Sequence, residues 1–387
     1  MIYLVGGIFV VSGCRSATNI GEEIYLFVFK YSTMKDYTEA DDEQIANVIK
    51  AFAEEECKGS SELYYKLTHR IAEDTDILRL AAHVRYGQPI PNSFLASVHF
   101  LLLANPNEEL AKYYPSISGS EAEEIPYEIF RKFCFDNADK IKAIIAERIV
   151  QTNVISRCSY LAVIFSRLIA ARPDKKVTTI DIGTSAGLTL NWDKYEYHYS
   201  NGLTIGKSPA KVTAEVRDSL LPESHLPNKN IRKIGIDQHI IDPTNAEEAR
   251  WLRALIWPDQ LERFAALNEA LKIDSLKDIE FVQASAVIDF EKVISGISKD
   301  ELLIVYCTHA MYQFPMEMRE DFWKMLDKTG KGRDFFFLSA EGIKTQREKY
   351  QTNNTVVELT TYKDGLKTPT LMAEVNSHGR WFIWRNN

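Results

Sequence analysis

The sequence predicts an α/β fold: a mostly parallel, doubly wound sheet with an antiparallel C-terminal edge, preceded by an all-helical N-terminal region. Three observations predict it. Helical periodicity runs unbroken from Asp36 to about Arg172. From Lys175 onward, short β-branched apolar runs alternate with helical stretches, the pattern of parallel strands joined by crossover helices. The first of those runs ends in an acid and a glycine-rich turn, "VTTIDIGTSAGLTLNWDKY".

The helical region opens with "DDEQIANVIKAFAEEE", where Ile45, Val48, Ile49 and Phe52 make one apolar stripe. "GSSELYYKLTHRIAED" begins with a serine cap. "PNSFLASVHFLLLAN" is apolar on every side, as a buried helix is, and "NADKIKAIIAERIVQTN" and "ISRCSYLAVIFSRLIAARPD" follow as long helices. The strands are "KKVTTIDIG", "IRKIGID", "IEFVQASA", "LLIVYCTHA" and "RDFFFLSAEG". After the second comes a helix at "TNAEEARWLRAL", with Thr244 and Glu247 in capping-box positions. "TVVELTTY", "TPTLMAEV" and "GRWFIWR", separated by turns at Lys363-Asp364-Gly365 and Ser377-His378-Gly379, predict the antiparallel edge. Between the first two core strands, alternating Tyr195, Tyr197 and Tyr199 precede Asn201-Gly202, a hairpin signal. This insertion, residues 195–216, reads as a flap near the first strand's ligand end or as a hairpin packed flat on the body. The domains expected are a leader at 1–33, a helical domain at 34–173 and the sheet domain at 174–387.

A net charge of -8 without a basic run argues against nucleic acid as the main partner. The five cysteines, Cys14, Cys57, Cys134, Cys158 and Cys307, are scattered and show no zinc spacing, so they read as buried thiols of a reducing compartment and no metal is expected. No run is long enough for a membrane span, and a cytoplasmic protein is expected. "MIYLVGGIFVVSGC" resembles a lipoprotein cleavage site at Cys14, but no Lys or Arg precedes its apolar run. The expectation is a dispensable leader, with a membrane-anchored lipoprotein as the alternative.

The turn admits two chemistries. G-T-S-A-G fits a hydrolase nucleophile elbow with Ser185 as nucleophile and Glu341 and His378 as available partners. It also fits a cofactor loop, in which Gly183, Ala186 and Gly187 let the backbone and the next helix N-terminus approach a ligand. The strand is the first of its sheet and follows helices, which suits the cofactor loop. Ligands of open α/β sheets bind beyond the carboxyl ends of the strands. Those ends carry Asp181, then Asp237 and Gln238, then Gln283, Ala284 and Ser285, then Thr308 and His309, then Ser339 and Glu341. Asp181, Gly183, Thr184, Ser185, Ala186, Gly187, Asp237, Gln238, Ala284 and Ser285 are therefore the candidate cofactor-binding residues, with Asp237 suited to a ribose diol. His309 is the candidate general base, with Tyr312 and Glu341 as candidate catalytic neighbours.

With these residues placed, the chain resembles a bacterial family known as domain of unknown function 2332. The resemblance runs from about Ala40 to Trp384 and rests on "QPIPNSFLASVHFLLL", "YYPSISG", "VQTNVISRCSYL", "DIGTSAGLTLNWDKYEYHY", "IGIDQHIID", "ARWLRALIWPDQ" and "HGRWFIW". Its members look like Rossmann-type methyltransferases that use S-adenosylmethionine and carry a helical N-terminal extension. The resemblance implies a methyltransferase, with Gln151, Asn153 and Arg157 covering the cofactor; the aromatic-rich insertion suggests a small or apolar acceptor. A serine stands at Ser185 where the usual loop has glycine, and "CTHAMYQFP" replaces the usual Asn/Asp-Pro-Pro-Tyr motif. The other readings are a non-catalytic binding protein that retains the fold, and a serine hydrolase.

Overall fold

The computed structural model describes residues 2–5, 8–11, 36–121 and 123–386. In the N-terminal stretch it gives a short antiparallel pair, β1 (Ile2–Val5) and β2 (Ile8–Val11). The rest of the leader expectation, Cys14 included, lies outside the described residues.

The chain divides into two compact units. One runs to Thr152 and takes in Ala246–Phe264; the other holds Asn153–Asn245 and Ala265–Asn387. The first unit is helical: α1 (Asp42–Phe52), α2 (Glu62–Ile71), α3 (Thr75–Ala81), α4 (Ile90–Ala104), the single turn α5 (Pro115–Ser118), α6 (Tyr127–Asp136) and α7 (Ala138–Glu147). Asp41 caps α1 in a capping box with Gln44, and Ser61 Oγ accepts the Tyr64 N–H at the start of α2. As its composition predicts, α4 is buried nearly all round.

Periodicity places the unit boundary at 173/174, and two segments fall on the other side of it. Helix α8 (Cys158–Ala170) belongs to the sheet unit, where Phe165 packs against Trp192 and Tyr306 with ring centroids 5.3 and 5.2 Å apart. Helix α9 (Ala246–Ala254), expected as a crossover, belongs to the helical unit. There Trp251 donates to the Ile149 carbonyl and Arg148 pairs with Glu247 and Glu248. The next helix, α10 (Leu261–Ala270), starts in the helical unit and ends in the sheet unit. Amphipathic spacing shows that a helix has a buried face; it carries no information about which core receives that face.

The second unit is built on an 11-stranded mixed sheet. Its strands are β3 (Val177–Ile182), β4 (Glu196–Tyr199), β5 (Thr204–Ile205), β6 (Lys211–Val216), β7 (Ile231–Asp237), β8 (Glu280–Gln283), β9 (Leu302–Thr308), β10 (Phe335–Glu341), β11 (Thr355–Lys363), β12 (Leu366–Val375) and β13 (Trp381–Trp384). The order is β5-β4-β6-β13-β12-β11-β10-β9-β3-β7-β8. Strands β8, β7, β3, β9 and β10 are mutually parallel, so the five core strands stand in the order third, second, first, fourth, fifth. The chain steps to one side of β3 for β7 and to the other for β9, which makes β3/β9 the topological switch point.

Strands β11, β12 and β13 follow β10, each antiparallel to the one before it, and Asp364-Gly365, both at positive φ, form the two-residue turn between β11 and β12. They are not an edge. The insertion strands β6, β4 and β5 extend the sheet beyond β13, with β6 parallel to both β13 and β4. The insertion is therefore sheet, not flap. Tyr195, Tyr197 and Tyr199 are buried, and their hydroxyls donate to the carbonyls of Leu188, Trp192 and Ser159.

Candidate functional site

Strand alternation decides which polar groups share a face. Ile180, Ile182, Leu303, Val305, Cys307, Phe335 and Phe337 fill one core with Phe290 on α11 (Phe290–Ser295) and Phe322 and Leu326 on α12 (Met316–Gly332). Asp181 and its register partner Tyr306 therefore point to the opposite face, toward α8 and the 3-10 helix Leu188–Lys194. Glu341 lies an even number of residues from Phe335 and Phe337, on the same face as Cys307, whose thiol donates to it. Asp181 and Glu341 reach the rim on opposite faces of the sheet.

Asp181 is 2% exposed and accepts the Thr189 hydroxyl. Burial pushes its carboxyl up to about 7. The Thr189 bond opposes this, the nearby Asp237 carboxylate adds to it, and the adjacent Tyr306 and Thr184 hydroxyls also oppose it. Asp237, half-buried at the end of β7, accepts the Ser185 N–H at 2.8 Å with one oxygen and the His239 N–H at 3.0 Å with the other.

Much of the turn is stitched to the protein. The N–H groups of Gly183 and Thr184 donate to the Ile236 carbonyl, and the Gly187 N–H to the Thr184 carbonyl. Gly183 is the exposed residue of an otherwise buried turn. Its φ is +80°, and a Cβ there would lie 2.4 Å from the Ala310 Cβ. Gly187, at φ +71°, faces Phe281 closely enough that a Cβ would lie 2.8 Å from the ring. The glycines are thus required by the packing of the turn against its neighbours, and Gly183 alone also opens backbone to the rim. Ser185, 2% exposed, occupies the left-handed region at φ +52° where the usual loop has glycine. The element that follows is a short, kinked 3-10 helix in place of the α-helix whose N-terminus is expected there.

Asn153 donates to the Thr184 carbonyl at 2.6 Å and so does reach the turn. Arg157 is committed elsewhere, donating to the carbonyls of Ser377 and Thr308. Gln151 belongs to the first unit. Ala284 donates its N–H to the Asp237 carbonyl, Gln238 accepts from Gln283, and Ser285 organises the turn before α11 through Asp289, Val287 and Ile288.

At the end of β9, His309 is 7% exposed with φ +51°. Its Nε2 faces Thr355 Oγ1 at 3.5 Å and its ring meets Tyr312 edge-on at 6.4 Å. Burial holds the imidazole well below its ordinary range, helped by Arg157, His378 and Arg347, so it is neutral at pH 7. Glu341 is fully buried, and its Oε1 accepts the N–H groups of Ala310 and Met311 at 3.0 Å each. Burial raises this carboxyl to about 7 against those bonds. The structure therefore groups His309 with Tyr312, while Glu341 serves the turn backbone.

Sequence reasoning missed Tyr160, Tyr306 and Thr189, which lie among the charges around Asp181. No sequence signal pointed to them: Tyr306 comes opposite Asp181 only through the pairing of β3 with β9. Among the described residues, no group of three or more His, Cys, Asp or Glu side chains is arranged to hold a metal, and no helix is long and apolar enough to cross a membrane. Cys57, Cys134, Cys158 and Cys307 are buried free thiols.

Fold and site together define an α/β protein with a doubly wound core and an acid-lined switch point. The chain belongs to the family described as "Uncharacterized protein conserved in bacteria (DUF2332)", whose model matches residues 46–384. A search of curated proteins found no match.

Proposed function

We propose that the second unit is an S-adenosylmethionine-dependent methyltransferase acting on a small-molecule acceptor. The observation that carries this reading is the pair of acids at the strand ends, where Asp181 and Asp237 stand beside a turn that opens to the rim at Gly183 and whose donors are largely spent. A dinucleotide or phosphate ligand needs free N–H groups or cations at that place. Acids suit a ligand that is itself rich in donors and positive charge.

S-adenosylmethionine is such a ligand, with an ammonium, a sulfonium, an adenine amino group and two ribose hydroxyls, and the residues fit it. When bound it supplies an activated methyl group. Asp237 would hold the ribose hydroxyls, since each carboxylate oxygen can accept more than one hydrogen bond. Asp181 would order the turn and favour the cationic pole. Gly183 would let the ligand approach the backbone. His309, neutral at pH 7 with Nε2 turned to Thr355, would take the acceptor's proton at Nδ1.

Calorimetry with S-adenosylmethionine and its demethylated product tests the reading directly. Binding of either is expected. No binding at millimolar ligand would overturn it, and binding without turnover would make the chain a non-catalytic member of the fold.

A further inference from the structure

The turn after β9 is fastened to the end of β10 on both sides of His309. The His309 N–H donates to the Ala340 carbonyl at 3.0 Å. The next two N–H groups, of Ala310 and Met311, converge on Glu341 Oε1, and the Cys307 thiol reaches the same oxygen at 3.4 Å. Upstream, the Thr308 carbonyl accepts from Arg157 Nη1 at 3.2 Å. These bonds hold His309 at φ +51°, a backbone state that is strained for an L-residue and retained only where the surroundings over-determine it.

We propose that Glu341 is the positioning residue of His309: one carboxylate oxygen gathers the two amides that follow the histidine and so fixes where the imidazole stands at the rim. The role rests on reading His309 as the base. The bonds of Glu341 go to the Ala310 and Met311 amides and the Cys307 thiol, and Arg157 spends its donors on the Thr308 and Ser377 carbonyls. The groups whose charge acts on the ring are Arg157, His378 and Arg347, with the Tyr312 edge beside it. Glu341 thus acts on His309 through the backbone. A carboxyl group is suited to this, because one of its oxygens can accept more than one hydrogen bond.

The test compares Glu341→Gln and Glu341→Leu in the full chain, each checked for folding by circular dichroism. Gln keeps a carbonyl oxygen that accepts both amides; Leu keeps only the bulk. The readout is the ring resonance of His309 in histidine-labelled protein, assigned with His309→Asn and followed through a pH titration. It needs neither cofactor nor acceptor, so failure of the methyltransferase reading cannot disguise its result. The expected outcome is a His309 signal and titration unchanged in the Gln variant. In the Leu variant the signal is displaced or broadened, with its titration midpoint moved up toward the solvent value. Where methyl transfer is measurable, kcat should fall about tenfold or more in Leu and recover in Gln, since a placed base contributes at least about a hundredfold. An unchanged His309 signal in a folded Leu variant overturns the proposal. If the Leu variant fails to fold, the Gln variant decides: a displaced His309 in folded Glu341→Gln also overturns it.

Discussion

Asp237 accepts the Ser185 N–H at 2.8 Å, joining the acid at the end of β7 to the turn that follows β3. The same carboxylate holds the His239 N–H, so it organises two loops before any ligand arrives. Asp237→Ala is therefore expected to do two things at once. It should destabilise the protein by about 1.5–3 kcal/mol for each lost bond to a charged acceptor, and it should weaken S-adenosylmethionine binding. Thermal unfolding measured beside calorimetry separates the two. Weakened binding with unchanged stability would contradict the structural half, and lost stability with unchanged affinity the ligand half.

Gly183 carries two constraints, a positive φ and the Ala310 methyl where its own Cβ would stand. Gly183→Ala should cost about 2–5 kcal/mol, the sum of a left-handed L-residue and an overpacked contact. Gly59→Ala, also at positive φ but with nothing within 4 Å, should cost only the backbone part. Denaturant titration of the pair checks this, and equal losses would show that the Ala310 contact relaxes freely.

The raised carboxyls predict a sign for the pH dependence. Asp181 and Glu341 move from 3.8 and 4.5 to about 7 on folding. Their protonated forms favour the fold fully below about pH 4, and that contribution is lost as pH rises through 7. Buried His99, lowered to about 4, and the depressed His309 act oppositely, losing stability as pH falls below the ordinary histidine range. The comparison must therefore be with Asp181→Asn, which should gain on the native protein between pH 5 and pH 8. The gain is on the order of 1 kcal/mol or more, since a tenfold change in proton affinity corresponds to about 1.4 kcal/mol. A constant difference across that range would show that the Asp181 carboxyl is not raised.

Ser185 stands at φ +52° in a position where glycine is at ease. Ser185→Gly is expected to fold with equal or slightly greater stability, by up to about 1 kcal/mol. Ser185→Ala should keep ligand affinity within about tenfold, because one neutral hydrogen bond contributes roughly 0.5–1.5 kcal/mol. Covalent labelling by a fluorophosphonate, lost in Ser185→Ala, would instead identify a nucleophile and restore the hydrolase reading.

The sequence by itself determined what is local. Apolar spacing marked α1, α2 and α4, serine at Ser61 marked a helix start, and β-branched runs marked β3, β7, β8, β9 and β10 in their right places. Asn201-Gly202 and Asp364-Gly365 marked turns, because a positive φ leaves its signature in the residues that must adopt it. It also located Asp181, Asp237 and His309 at strand ends. The tertiary structure alone decided what is relational. It put α9 with the helical unit, set β11 to β13 inside the sheet, and turned Tyr195, Tyr197 and Tyr199 inward. It sent Asp181 and Glu341 to opposite faces, a consequence of register between strands more than a hundred residues apart. It also brought "ISRCS" against the closing "SHG", where Arg157 and Ser159 donate to the Ser377 and Gly379 carbonyls. Periodicity records that a residue is buried or capped; only the pairing of distant segments fixes what it is buried against and which donors reach it.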